Sequence, residues 1–137
     1  MISYNYKFPL SLPEEREISD WIRMVIELEK YDLGELNYTF LSDQALYEMN
    51  VEFLNHETLT DIISFDYTVG KLIQGDVFIS VERVIDNARD FNVSFNNELH
   101  RVMIHGVLHY CGYKDKTSVE KSIMRAKEDF YLDLLFK

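Results

Sequence analysis

Hydrophobic residues recur along this chain in two rhythms, every second residue in short stretches and every third or fourth in longer ones. Ile2 to Lys7 alternates through Tyr4 and Tyr6 and predicts a strand. Pro13, with Glu14 and Glu15 behind it, predicts the start of a helix whose Ile18, Trp21, Ile22, Val25 and Leu28 form an apolar stripe, and Gly34 ends that unit. Leu36 to Leu41 predicts a second strand, after which Ser42 or Asp43 caps a helix carrying Leu46, Met49, Asn50 and Phe53. A polar loop over 55–60, with a solvated His56, leads to strands at Ile62 to Tyr67 and Leu72 to Ile79, joined around Gly70. Ser80 caps a helix with Val81, Val84, Ile85 and Ala88 inward.

The next helix, from about Asn96 to Cys111, is apolar on nearly every side through Leu99, Val102, Met103, Ile104, Val107 and Leu108, which predicts burial. Thr117-Ser118-Val119-Glu120 reads as a capping box. It opens a last helix with Ile123, Met124, Lys127, Phe130, Tyr131, Leu134 and Leu135 on one side. The elements sum to an α+β fold, a four-stranded mixed sheet with about five helices packed on it. The 137 residues make one domain, with no repeat or linker to divide it.

The buried helix carries the chemistry. At about 100° per residue, His105 and His109 lie one turn apart on one face, where two imidazoles can share one cation. Gly112 can take a left-handed cap and turn the chain back, so that Asp115 offers a third ligand. Three protein ligands with a position left for water is the pattern of catalytic zinc rather than of a closed structural site. A core histidine satisfied by other partners is the bland alternative, but two imidazoles on one face of an apolar helix are costly to bury without a shared partner. His100 is a poor substitute ligand, some 140° around the helix from His105. The zincin pattern has the same helix, but its peptidase base, a Glu after the first His, is replaced here by Gly106. A phosphodiester suits the site better, because a Lewis acid stabilises charge on phosphoryl oxygens with less need of that carboxylate.

Charge and cysteine content adjust this picture. The net charge of −10 opposes tight binding to free nucleic acid. From Asn96 to Glu128, however, Arg101, Lys114, Lys116, Lys121, Arg125 and Lys127 outnumber Glu98, Asp115, Glu120 and Glu128. A protein brought to its RNA by a partner fits both facts. Cys111, the single cysteine, is expected to be a buried thiol without chemistry. With no apolar run near the ~18 residues of a membrane span and no signal peptide, a cytoplasmic location is expected.

Three motifs together resemble the YbeY family of bacterial rRNA-maturation endoribonucleases: Met49-Asn50 with Thr60-Asp61-Ile62-Ile63-Ser64-Phe65, then Gly75-Asp76-Val77, then His105 to Tyr113. The resemblance covers nearly the whole chain. It implies a zinc-dependent, single-strand-specific ribonuclease acting in 16S rRNA 3′-end maturation and ribosome quality control. The implied partners are rRNA and the ribosome or its small-subunit proteins, with no membrane and no DNA. Two departures stand out. Asp115 replaces the family's third His, an anionic oxygen for a neutral nitrogen, which favours a harder ion such as manganese more than three imidazoles would. Leu54 stands where the family usually has an Arg implicated in catalysis, so Lys114, Lys116 or Arg101 must steady the phosphate instead, or activity is weaker.

Weaker candidates complete the site. Asp61 at a strand entrance reads first as turn chemistry. Gly75-Asp76 inside a strand suggests a bulge or a close backbone approach, with Asp76 a candidate to orient a ligand His. Asp61, Asp76, Lys114 and Lys116 are the candidate catalytic groups beyond the metal ligands, and Arg101, Lys114 and Lys116 the candidate RNA contacts. Ser64 and Asp66, sharing one strand face, are candidates to line an RNA groove. A non-catalytic ribosome-associated metal module and, behind it, a metallopeptidase are the competing functions.

Overall fold

The computed structural model describes residues 1–10, 12, 14–54 and 60–135; Pro13, His56 and the expected loop up to Leu59 lie outside the described residues. In chain order the elements are β1 (Ile2–Tyr6), α1 (Glu15–Leu28), β2 (Asp32–Leu41), α2 (Asp43–Leu54), β3 (Ile62–Asp66), β4 (Leu72–Ser80), α3 (Val81–Asp90), α4 (Phe95–Tyr110) and α5 (Ser118–Leu134). The sheet runs β1-β2-β4-β3. β1, β2 and β4 are parallel, while β3 pairs antiparallel with β4 at one edge, so the sheet is mixed as expected.

Alternation in the strands divides the core between two faces. Leu36, Tyr38, Phe40, Ile73, Val77 and Ile79 point to the larger cluster, which α1, α4 and α5 complete with Ile22, Val25, Leu99, Met103, Val107 and Tyr131. Leu41 and Ile63 face the other way and pack with Leu46 of α2, flanked by Phe65 and Phe78. The short helix α2 therefore covers one face, and the metal-motif helix α4 is sandwiched against the other.

Several helix ends follow the sequence signals closely. Ser42, Ser80 and Thr117 accept from the backbone N–H three residues on, and Thr117 with Glu120 forms the full capping box. The start of α4 is set one residue earlier than expected, because Ser94 is its cap. Gly34 corrects an expectation: it does not end the helical unit but lies inside β2, at a register shift between Leu33 and Leu36. A Cβ there would meet Gln74 Cγ at 2.7 Å and the Ile73 carbonyl at 2.9 Å, so close approach of β4 explains the glycine. The helix ends earlier, with Lys30 in a left-handed conformation.

Apolar periodicity also overcounts the inward positions. Leu28, Phe53, Ile85, Ile123 and Phe130 are exposed; of the side expected to pack, α5 buries Met124 and Tyr131, and Glu128 joins them. No helix among the described residues is long and apolar enough to cross a membrane.

Candidate metal centre

The site is built at the C-terminal end of α4. Its helix is stopped by Gly112 at φ 99°, with Tyr113 N–H donating to the Leu108 carbonyl (3.1 Å) and Gly112 N–H to that of His109 (3.0 Å). This paired closure is a Schellman turn. It swings the chain back over the helix end and brings Asp115 beside the imidazoles six and ten residues before it.

His105 Nε2 and His109 Nε2 lie 3.0 Å apart, and Asp115 Oδ2 is 3.2 Å from each. The other ring nitrogens are both occupied. His105 Nδ1 is 2.7 Å from Glu128 Oε2, and His109 Nδ1 is 2.9 Å from the Tyr113 carbonyl oxygen. A carbonyl can only accept, so His109 carries its proton on Nδ1; an ionised Glu128 imposes the same on His105. Two Nε2 lone pairs and a carboxylate oxygen then converge on one point. A cation is what satisfies such a set, and three corners of a tetrahedron with bonds of about 2.0–2.2 Å would stand roughly 3.3–3.6 Å apart. The residues present fit a divalent metal, and they form a group of the kind that holds one.

Glu128 is the residue sequence reasoning passed over. It is 5% exposed in the middle of α5, and its second oxygen accepts from Arg101 Nη1 at 2.9 Å. Arg101 also bonds Asp129 at 2.7 Å. A buried carboxylate with a guanidinium on one oxygen and an imidazole on the other orients the ring from outside the ligand set. Burial alone would lower the His105 pKa, but the Glu128 bond and the charges of Glu128, Asp115 and Asp61 outweigh it and raise it. The signal was present: Glu128 falls on the same face as Met124 and Tyr131, and a charge on a buried stripe needs a partner.

A cleft of about 410 Å³ opens beside His105 and Asp115, lined among others by Asp61, Asn87, Phe91 and Glu98, with Arg101, Lys121 and Arg125 as its cations. Asp61 thus stands at the cleft, held by Asn87 Nδ2 at 3.3 Å, with burial raising its pKa against the opposing charge of His105. Asp76 does not orient a ligand: its carboxylate accepts from Asn37 at 3.0 Å. Lys114 and Lys116 are exposed and line none of this cleft. Lys121 and Arg125, one turn apart on α5, line it instead. Arg101 lines the cleft but is committed to Glu128 and Asp129. Neither Ser64 nor Asp66, whose carboxylate accepts from the Thr68 N–H at 2.9 Å, lines the cleft, which meets β3 only at Ile62, with Asp61 just before it.

Three further positions are settled by packing. At Gly106 a Cβ would lie 3.3 Å from Ile62 Cδ1 and 3.6 Å from Val77, so this position faces the sheet at close contact. Gly75 shows the expected close approach, since a Cβ there would be 2.6 Å from the Tyr110 ring, and it pairs with Leu36 at the end of the register shift on β2. His100 sits edge-on to Trp21, 6.2 Å between centroids, apart from the metal group. Leu54 ends α2, half exposed, and lines no part of the cleft.

Comparison with known proteins places this geometry in context. Residues 5–135 match the family model described as Endoribonuclease YbeY. A protein of that name from Flavobacterium johnsoniae is 59% identical over 129 residues, covering 94% of this chain and 93% of its own. Its counterpart in Flavobacterium psychrophilum is 54% identical over 98% of this chain and 96% of that protein. The solution structure of TM1509 from Thermotoga maritima superposes with a TM-score of 0.73 at 24% identity, covering 99% of this chain and 89% of that one, which shows the shared fold.

Proposed function

Because this chain belongs to the Endoribonuclease YbeY family, we propose that it is a metal-dependent endoribonuclease that cuts single-stranded RNA in the cleft beside His105 and Asp115. The observation that carries this reading is the convergence of His105 Nε2, His109 Nε2 and Asp115 Oδ2 within 3.2 Å of one another at that cleft. We further assign the role to maturation of the 16S rRNA 3′ end in the cytoplasm, on the ribosome, because a chain of charge −10 does not grip free RNA through its bulk field.

The three ligands would hold zinc, which supplies Lewis acidity and acidifies water near the scissile phosphate. Glu128 and the Tyr113 carbonyl keep both rings in the one tautomer that offers Nε2 inward. Lys121 and Arg125, which line the α5 wall of the cleft, meet the phosphate there. The Asp61 carboxyl, with a raised pKa and an Asn87 hydrogen bond, exchanges a proton with the reacting oxygens.

Metal analysis and an RNA assay test this together. Protein purified without chelators carries about one zinc per chain, lost in His109→Ala, and cuts single-stranded rRNA fragments, with turnover abolished in His105→Ala. Equal background cleavage in wild type and His105→Ala would leave a metal-binding module without this activity.

A further inference from the structure

Among the described residues that line the cleft, one is a Phe, Tyr or Trp. Phe91 is an aromatic ring 57% exposed to solvent. It caps the C-terminus of α3, where its N–H donates to the Asn87 carbonyl, and Asn87 lines the cleft one turn before it. α3 and α5 both pack on α4. The cleft therefore has α4 as its floor, an aromatic ring on the α3 wall, and Lys121 and Arg125 on the α5 wall.

A wet, apolar ring beside cations is the combination that holds one nucleotide by its two unlike parts. The base stacks on the ring and the phosphate meets the charges. Other exposed aromatics, Phe53, Tyr67 and Phe130, line no part of this cleft. We propose that Phe91 is a base-stacking platform that seats one unpaired nucleobase beside the scissile phosphate. The inference rests on the endoribonuclease reading and adds a specificity residue to it. A base inside a helix already has both faces covered by neighbours, so the ring engages only a base free of its stack. Purines, with the larger face, are held better than pyrimidines.

The test compares wild type, Phe91→Ala and Phe91→Trp as metal-loaded proteins. Substrates are a single-stranded oligoadenylate, an oligouridylate and an abasic strand of equal length, and anisotropy of labelled 2′-O-methyl strands measures binding when turnover is slow. Phe91→Ala weakens oligoadenylate binding, and raises KM, by about 5- to 150-fold, weakens oligouridylate less, and leaves the abasic strand unchanged. Phe91→Trp restores binding, and its added fluorescence is quenched by the bases. Wild-type and Phe91→Ala proteins that bind all three strands alike would overturn the platform while leaving the endoribonuclease reading intact. Wild type that neither binds nor cuts any strand would overturn the endoribonuclease reading, and the platform with it.

Discussion

Glu128 Oε2 stands 2.7 Å from His105 Nδ1 across 23 residues of sequence, so the last helix decides which way the His105 ring points. A carboxylate behind a ligating imidazole fixes its tautomer and strengthens it as a donor. Glu128→Ala is expected to weaken zinc binding by about 10- to 100-fold, and Glu128→Gln, whose amide oxygen still accepts from Nδ1, to weaken it less. Competition against a chromogenic chelator measures both, and equal affinity in all three proteins would remove Glu128 from the site.

In the proposed site Asp115 would set the hardness of the ligand set. Asp115→His, which restores three imidazoles, is expected to raise the preference for zinc over manganese, whereas Asp115→Ala should lose most of the affinity for either. Isothermal titration with each ion reads the ratio. A ratio unmoved by Asp115→His would mean that this oxygen is not a ligand.

Glu29 accepts from Tyr113 at 2.7 Å, from Lys127 at 3.2 Å and from Tyr131, and so pins the end of α1 to the turn after α4 and to α5. Burial alone would raise its pKa, but these donors outweigh it and the net shift is downward from 4.5. The ionised form therefore stabilises the fold above the ordinary carboxyl range, and that contribution fades as the pH falls through the lowered value. Glu29→Gln is expected to cost about 1–2 kcal/mol at neutral pH. Urea melts at a series of pH values should show the gap to wild type closing on acidification. A gap that widens at low pH would contradict the sign.

Gly75 faces the Tyr110 ring, whose hydroxyl donates to the Phe65 carbonyl at 3.1 Å and the Asp76 carbonyl at 3.3 Å. Gly75→Ala forces a Cβ into that ring and the Phe65 carbonyl, at an expected cost of about 1–3 kcal/mol. The Gly75→Ala, Tyr110→Ala double variant should recover part of the strain in a denaturation cycle, and strict additivity would argue against the clash.

Cys111 is buried at the end of α4, and burial, helped by the charge of Glu29, pushes its thiol up to about 12. Native protein is expected to leave a thiol reagent unreacted at pH 8 and to react stoichiometrically once unfolded. Rapid labelling of the native form would show that α4 opens.

What the sequence disclosed depended on how local the cause was. Caps at Ser80 and Thr117 and the turn at Gly112 are made by neighbours in the chain, and their residues announce them. Gly34 misled because a glycine that ends a helix and one that admits a neighbouring strand look alike until β4 is in place. Ile85, Ile123 and Phe130 keep a helical rhythm yet face water, since periodicity names a stripe without saying whether anything covers it. His105, His109 and Asp115 lie within ten residues, so their grouping was legible. Glu128, Lys121 and Arg125 reach the same place from α5, and only tertiary packing brings them there.

The Glu128–His105 contact also gives the chain an order of assembly. During synthesis α4 emerges first, and until residues near 128 follow it, His105 lacks the carboxylate that turns its ring toward the other ligands. A partly made chain is thus a poor receptor for the ion. Capacity to cut RNA arrives late, with the docking of the final helix, so an unfinished copy still attached to its ribosome is a nuclease without its edge.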